Sequence, residues 1–516
     1  MKTKQLLKNI SFFLLFAVIL CSCNDDDEEV TPPVFDAPTI DLSQDSGEFR
    51  IGQTIRLNVA YEASALFREF VVLRGTTVVE RITYPDRTLG EDNYTLEFLI
   101  DESLLGSTQT FTFSITDTLG ESVSATFTAT VSEVAPTYQI RDIALNGTNF
   151  KQVTGRINFD ETFNNEDLWL FKGEVTVEDI ATLTIEEGTA VFARDSVAAP
   201  LLADSDSITI PGKLQVQIGG TLLAEGTAEA PIVFNTINAA PNQPEAPEPG
   251  DWEGVELLGD DTPEGNSGIL KYVRIENGGD GDEPLQLRQV GGNTLIDFVQ
   301  VHNADDTGIR MRGGYVNLKH ILITKPDDRG IRYSDGWEGN GQFWVVVTDV
   351  DDSIGLNGRD SDDSPRNSDA IMSNITLVGP FITGDGAGDT EGVQLRDGAK
   401  GEFHNTVVTG FDNSFRNRSE DGDMIVKNSI VFGNGSDGDD DGLHSSIRDA
   451  YREAVNNNSE DPITLADTFI GVGTANASDA ASLGSFFDAV SYVGAVAPDN
   501  DWTLGWTLNF DGTPRE

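Results

Sequence analysis

An arginine recurs at one position of a repeating pattern in the second half of the chain. Four residues after the turn glycine of each repeat, or its equivalent, the sequence carries arginine in five of six repeats and Ser334 in the sixth. The five are Arg288, Arg312, Arg359, Arg396 and Arg418. Because a guanidinium group binds a carboxylate or sulfate through two parallel hydrogen bonds, this row predicts a face that holds an anionic polymer.

Acidic residues precede the same turns, which leaves a second interpretation of the arginines open. They are Asp282, Glu283, Asp305, Asp306, Asp327, Asp328, Asp351, Asp352, Asp389, Glu391 and Asp412. The arginines could pair with these carboxylates and relieve stacked like charge, each exposed pair contributing at most about 1 kcal/mol. The sequence alone does not decide between ion pairing and ligand binding.

One acid-rich segment has the spacing of a calcium loop. In "DGDDDG", Asp437, Asp439 and Asp441 alternate before Gly442, so their oxygens can point to one centre while the glycine makes the turn. The twelfth position from Asp437 is Arg448 instead of glutamate, which breaks the EF-hand form. We predict calcium as the cofactor of this segment, with a solvated acidic loop as the alternative, and no other cofactor.

Few residues offer covalent or metal-based catalysis. The four histidines, His302, His320, His404 and His444, fall in different repeats without a metal-ligand spacing. Acidic residues are so abundant that two of them close together carry no information about a glycosidase-type pair. The residues therefore favour a binding protein over an enzyme.

The elements that must position the arginines are short strands in a 22-residue repeat. Residues 294–314 align with residues 316–336 without a gap, so Ile296 matches Leu318, Val301 matches Ile323 and Gly308 matches Gly330. A repeat of this length with short strands and glycine turns is typical of one coil of a solenoid, in which each coil packs on its neighbours.

The upstream segments carry a family resemblance. "LTIEEGTAVFA" (183–193), "LQVQIGGTLLAEGTAEAPIVFNT" (214–236) and "GDWEGVELLG" (250–259) resemble the right-handed parallel β-helix of the pectin-lyase-like superfamily, especially its surface-lipoprotein members. The resemblance covers about residues 140–512 and implies the fold, not the activity. It also implies the enzymatic alternative, a polysaccharide lyase using calcium with an arginine or lysine base, or a glycoside hydrolase using clustered carboxylates.

The β-helix region is expected to end in a C-terminal cap. We assign residues 140–516 to the β-helix with loop insertions and a C-terminal cap. Trp502, Trp506 and Phe510 are expected to form a hydrophobic plug or edge cover, and the alternative is a platform on which sugars stack.

Residues 39–134 show the period-two alternation of β-strands. Apolar residues alternate in "TIRLNVAY" and again in "FTFSITDTLGESVSATFTATV", where "TDTLGES" makes the turn. The final hairpin resembles the last two strands of cysteine-free immunoglobulin-like modules on bacterial surface proteins. The predicted fold class is therefore all-β, with an immunoglobulin-like β-sandwich followed by a right-handed parallel β-helix.

The N-terminus predicts export and a lipid anchor. Residues 1–22 have a basic start, an apolar core and small residues before Cys23, as in a cleaved signal peptide. "LCSC" resembles the lipobox of bacterial lipoproteins, which implies that Cys23 is lipidated. "NDDDEE" resembles a signal that sends lipoproteins to the outer face of the outer membrane, with a solvated spacer as the alternative. Residues 23–38 read as an acidic and proline-containing tether.

The net charge of the chain limits the classes of molecule that it can bind. The chain has 34 basic and 86 acidic residues, a formal net charge of −52, which excludes nucleic acid as a natural partner because phosphate binding needs clustered Lys and Arg. We predict a non-catalytic surface lipoprotein, anchored in the outer membrane and facing outward. It would bind an extracellular glycan or a TonB-dependent transporter or assembly partner, and an enzyme of the pectin-lyase-like superfamily is the alternative.

Overall fold

The computed structural model describes most of the chain after residue 34. The described residues are 35–49, 51, 53–85, 90–131, 136–198, 208–361, 363–381, 389–419, 422–435 and 442–516. They form two compact units, one containing Ile55–Phe98 and Thr108–Thr130 and the other containing Val131–Glu516. Across these ranges, no helix is both long and apolar enough to span a membrane.

The first unit consists of two small antiparallel sheets. Its strands are β1 (Thr39–Leu42), β2 (Ser46–Phe49), β3 (Thr54–Glu62), β4 (Phe67–Arg74), β5 (Thr77–Thr83), β6 (Glu91–Leu99), β7 (Thr108–Asp117) and β8 (Ser122–Val131). One sheet has the order β1-β3-β6 and the other β2-β8-β7-β4-β5. A 3₁₀-helix at Glu102–Leu104 connects β6 to β7.

Period-two alternation produces the core of this unit. Ile55, Leu57 and Val59 of β3 are fully buried, whereas the residues between them are exposed. Tyr61 of the same strand stacks on Phe70 of β4, with ring centroids 4.3 Å apart. The predicted strands therefore bury the predicted side chains, and aromatic contacts join the two sheets.

The second unit is a solenoid of short parallel strands. Its strands are β9 (Thr137–Leu145), β10 (Thr148–Ile157), β11 (Glu161–Phe163), β12 (Leu168–Val177), β13 (Thr182–Ile185), β14 (Ala190–Arg194), β15 (Ser196–Ala198), β16 (Ile208–Ile210), β17 (Lys213–Val216), β18 (Thr221–Glu225), β19 (Ile232–Thr236), β20 (Gly254–Leu258), β21 (Gly268–Glu276), β22 (Leu285–Arg288), β23 (Leu295–Ala304), β24 (Ile309–Arg312), β25 (Asn317–Pro326), β26 (Arg329–Ser334), β27 (Asn340–Val347), β28 (Ile354–Arg359), β29 (Asp369–Val378), β30 (Glu391–Arg396), β31 (Lys400–His404), β32 (Val407–Thr409), β33 (Asn413–Arg418), β34 (Met424–Lys427) and β35 (Ile430–Phe432). Helical elements are short: α1 (Arg448–Tyr451) and 3₁₀-helices at Ile237–Ala239, Ala454–Asn456 and Ala480–Leu483. Among the strands named above, two antiparallel pairs depart from the parallel pattern, the β9–β10 hairpin that starts the solenoid and the β15–β16 pair.

Three parallel sheets run along the solenoid. From β17 onward, sheet A contains β17, β20, β22, β24, β26, β28, β30 and β33, and β12, β13 and β14 extend the three sheets towards the start of the solenoid. Sheet B contains β18, the first halves of the long strands β21, β23, β25, β27 and β29, and then β31 and β34; sheet C contains β19, the second halves of those long strands, and then β32 and β35. Each coil contributes one strand segment to each sheet.

The predicted 22-residue repeat is confirmed by the strand register. Ile296 pairs with Leu318 and Val301 pairs with Ile323, as the sequence alignment requires. All four of these side chains are buried in the solenoid core. The repeated glycine has a steric cause: a Cβ at Gly330 would lie 2.3 Å from a methyl group of Val346 in the next coil.

A left-handed residue separates sheet B from sheet C in successive coils. Tyr272, Phe298, His320 and Phe343 occupy it with φ between 47° and 61°. Their rings stack outside the core, with successive centroids 4.3, 4.1 and 4.8 Å apart. A bulky residue at positive φ is strained, so contacts made by the stacked side chains must stabilise this turn.

The C-terminal segment, residues 459–516, covers the outside of sheet C. Leu322, Val345 and Val378 point outward from this sheet and pack against Phe469 and Val496 of the segment. The outer face of sheet C is therefore buried, although it lies outside the solenoid core.

The tryptophans of this segment lie on the side of the solenoid. Trp502 stands edge-on to His320, and Trp506 stands edge-on to Tyr272 with centroids 5.5 Å apart. Their partners belong to strands in the middle of the solenoid, so, of the expected plug or edge cover, these two tryptophans form a cover on the side of the solenoid. The stacking platform is also excluded for Trp506, which is only 1% exposed.

Candidate anion-binding site

The predicted arginine row lies on the outer face of sheet A. Strand pairing places Arg288 beside Arg312, and Arg312 beside Ser334. Further along, Arg396 lies between Arg359 and Arg418. Tyr333 pairs with Gly358, so the residues that follow them, Ser334 and Arg359, lie side by side and join the two parts of the row. The five predicted arginines therefore share one column.

A second polar column runs beside the first. Because side chains alternate along a strand, residues two positions before the predicted row share its face. In register these residues are Glu256, Gln286, Arg310, Arg332, Asn357, Gln394 and Arg416. Sequence reasoning missed this column, although counting back two residues from each position of the predicted row, including Ser334, would have found its members from Gln286 to Arg416.

The two columns form a groove in the middle of sheet A with a volume of about 600 Å³. Its lining residues are Arg310, Arg312, Arg332, Arg359, Asp335, Asp360, Ser361 and Asp397. The aspartates and the serine come from the turns and the loop that follow the strands, so the groove has an arginine floor and an acidic rim.

Three of the four lining arginines have their own carboxylate. Arg310 Nη1 donates to Glu283 Oε1 at 2.9 Å, and Arg359 Nε donates to Asp397 Oδ2 at 2.8 Å. Arg312 Nε lies 3.4 Å from Asp335 Oδ2. For these arginines the ion-pairing interpretation holds.

Arg332 is the exception. It forms no ion pair or side-chain hydrogen bond within the described ranges, and its buried Nε has no acceptor there. Burial, and then the charges of Arg310 and Arg329, lower the pKa of Arg332 to about 10. The guanidinium remains charged at neutral pH and is the group in the groove best placed to accept an incoming anion.

The other members of the predicted row lie outside the groove. Arg288 pairs with Glu256 (Nε to Oε1, 2.6 Å), and Arg418 pairs with Glu391 (Nη2 to Oε1, 2.8 Å). Arg396 has no ion-pair partner among the residues that are described, and it does not line the groove. The row thus contributes two residues, Arg312 and Arg359, to the candidate site.

A clamp holds the loop that forms one wall of the groove. Arg366 donates two hydrogen bonds to Asp261, at 2.8 and 2.9 Å, and its guanidinium lies 4.8 Å from the centre of the Tyr315 ring. The Arg366 hydrogen bonds hold the pKa of Asp261 below its usual value. Asp360, 4% exposed, accepts hydrogen bonds from the backbone and hydroxyl of Ser368. The wall is thereby fixed before any ligand arrives.

A protein-family model matches this solenoid. The model is described as a pectate-lyase like beta helix domain and matches residues 155–264 and 258–507. The chain belongs to this family. No curated protein and no solved structure matches the chain.

In the described part of the pectate-lyase-like β-helix, no three His, Cys, Asp or Glu side chains lie close enough together to hold a metal ion. His302 is buried and forms a hydrogen bond with Thr324 Oγ1, and burial lowers its pKa to about 4. The predicted calcium residues Asp437, Asp439 and Asp441 and the predicted lipidation residue Cys23 lie outside the described residues, so both stay predictions.

Proposed function

We propose that this β-helix is a non-catalytic surface lipoprotein that binds an anionic group of an extracellular glycan in the sheet A groove. The observation that carries the proposal is Arg332, a charged and partly buried guanidinium without a partner among the described residues. A depression of about 600 Å³ fits one sugar with a carboxylate or sulfate better than it fits the flat surface of a transporter or assembly partner.

The remainder of the proposal concerns location. Lipidation at Cys23 and export directed by the acidic run after it would place the protein on the outer face of the outer membrane. The two antiparallel sheets of the first unit support an immunoglobulin-like module, a common part of surface proteins. The acidic surface suits calcium at Asp437, Asp439 and Asp441.

Arg332→Ala tests the binding role. A charged hydrogen bond contributes about 1.5 to 3 kcal/mol, so we expect affinity for a sulfated oligosaccharide to fall by about tenfold or more, measured by titration calorimetry. Arg156→Ala is the matched control, since Arg156 is 56% exposed and pairs with Glu178 on the solenoid surface. Equal affinities for wild type and Arg332→Ala would contradict the proposal.

A polysaccharide lyase is the second candidate, because burial and neighbouring arginines shift the pKa of Arg332 towards that of a base. Incubation with acidic and neutral polysaccharides separates the two functions. Release of unsaturated ends at enzymatic rates, abolished in Arg332→Ala, would favour the lyase. Binding without product release would favour the non-catalytic role.

Binding should strengthen as the pH falls from 8 to 6. Burial, and then the hydrogen bond with Asp282, raise the pKa of Glu283 to about 7. Glu283 faces Arg310 of β24 and Gln286 of β22. Protonation of Glu283 neutralises the partner of Arg310, so the groove gains about one positive charge. We therefore expect about three- to tenfold tighter binding of a sulfate ester at pH 6 than at pH 8. A sulfate ester is the probe because it does not titrate in this range.

Glu283→Gln is the test of that pH dependence. The variant should bind equally well at pH 6 and pH 8, with the affinity that wild type reaches at pH 6. An unchanged pH dependence in the variant would show that another group titrates.

A further inference from the structure

We infer that the groove is selective for a ligand with one isolated anionic group on an otherwise neutral chain, and that it rejects polyanions charged on every unit. This inference rests on the proposed function, since it names the class of ligand that the same groove takes.

The groove supplies one free charge. Arg310, Arg312 and Arg359 are each held by a carboxylate of the protein, and Arg332 alone among the lining arginines has no partner in the described structure. The next two residues in the column of Arg332 are Asn357 and Gln394, which are uncharged and hydrogen-bonded to each other. A second charge on the ligand would therefore find no free guanidinium beside the first.

The neighbouring cation lies too far along the solenoid to serve an adjacent charge. Arg396 is in β30, two strands beyond the β26 strand that carries Arg332. Strands are about 4.8 Å apart, so the separation along the axis is about 10 Å.

Carboxylates flank the groove on both edges of sheet A. After the strands, Asp335 and Asp397 form the rim. Before the strands, Asp305 lies among like charges: burial, and then Asp327 and Asp280, raise its pKa. An extended polyanion lying across the groove would approach both acidic edges, within about a Debye length of 8 to 10 Å.

The net negative charge of the whole chain also repels a polyanion. With a net charge of −52, the protein repels a polymer in proportion to the charge that the polymer carries. A single sulfate or carboxylate keeps its contact with Arg332 and avoids most of this repulsion. Like-charge contacts are a known means of excluding wrong partners.

The test compares probes of equal length. They are a neutral oligosaccharide, the same oligosaccharide with one sulfate ester or one carboxylate, and an oligogalacturonate charged on every unit, titrated into the full protein at 50 and 500 mM NaCl. We expect the singly charged probes to bind at least about tenfold tighter than the oligogalacturonate at low salt. High salt should narrow this gap, because screening removes the repulsion of the polyanion.

Asp397→Asn sharpens the comparison. Asp397 is 45% exposed on the rim, and its loss removes a repelling charge and frees Arg359. We expect the variant to gain more affinity for the oligogalacturonate than for the singly charged probes. Glu178→Gln is the control, since Glu178 is a carboxylate outside the groove that pairs with Arg156 on the solenoid surface.

The outcomes distinguish a failure of the selectivity from a failure of the anion-binding function. Tighter binding of the oligogalacturonate, weakening with salt, would overturn the selectivity and leave the anion-binding function in place. Equal binding of the neutral and the singly charged probes, unaffected by Arg332→Ala, would overturn both.

Discussion

Trp506→Ala should lower the free energy of unfolding by about 3 to 5 kcal/mol, the usual effect of removing a buried tryptophan. Trp506 is 1% exposed and stands edge-on to Tyr272 and Phe298 of the aromatic stack. Its carbonyl also accepts a hydrogen bond from Arg274 at 3.0 Å. Loss of the indole would leave a cavity between the C-terminal segment and the stack.

The measurement is denaturant unfolding combined with hydrogen exchange of residues 495–510. We expect these amides to exchange faster in Trp506→Ala, because the segment detaches locally before the solenoid unfolds. Leu504→Ala is the matched control: Leu504 is in the same segment but 45% exposed, so its loss should change stability by about 0.5 kcal/mol or less. Similar effects of the two substitutions would mean that the segment does not stabilise the solenoid through this contact.

Glu391→Ala should destabilise the protein by about 3 kcal/mol, because it removes a buried carboxylate shared by two arginines. The Glu391 side chain is 1% exposed and accepts from Arg416 at 2.7 Å and from Arg418 at 2.8 Å. Without it, the exposed carboxylate of Asp389 is the remaining acidic partner of both guanidinium groups among the described residues.

Asp389→Ala provides the comparison, since Asp389 binds the same two arginines but is 61% exposed. An exposed ion pair contributes at most about 1 kcal/mol, so we expect a shift well below that of Glu391→Ala. The denaturation midpoints of the two variants measure the difference. If the two midpoints fall equally, burial does not control the strength of this cluster.

The solenoid could be predicted because its signal is local and repeated. Each coil must bury its apolar side chains against the same positions of its neighbours, so residues such as Ile309 and Ile331 recur at a fixed spacing and pair in the structure. The strands of the first unit were predicted for a similar reason, since alternation alone determines which side chains of β3 face the core.

The cover of sheet C could not be predicted in the same way. Its contacts join positions far apart in the chain: Gln300 donates to the carbonyl of Leu508, 208 residues away. Leu322 and Val345 are apolar residues on an outer face, and the sequence pattern does not distinguish them from core residues. The sequence did not distinguish a plug from a cover for Trp502 and Trp506, because nothing local to either residue specifies its partners.

For the candidate site, the sequence by itself determined that arginines stand in a column, because a repeat of constant length puts equivalent residues in register. It did not determine which guanidinium is free. The repeat with serine in the predicted row, at Ser334, carries Arg332 two residues earlier, and Arg332 has no partner in the described part of the chain. Pairing depends on carboxylates from other coils, 27 residues away for Arg310 and 38 residues away for Arg359. Only the tertiary structure decided this, because an ion pair forms where coiling brings two charges within hydrogen-bond distance, and neighbouring positions in the chain do not specify that distance.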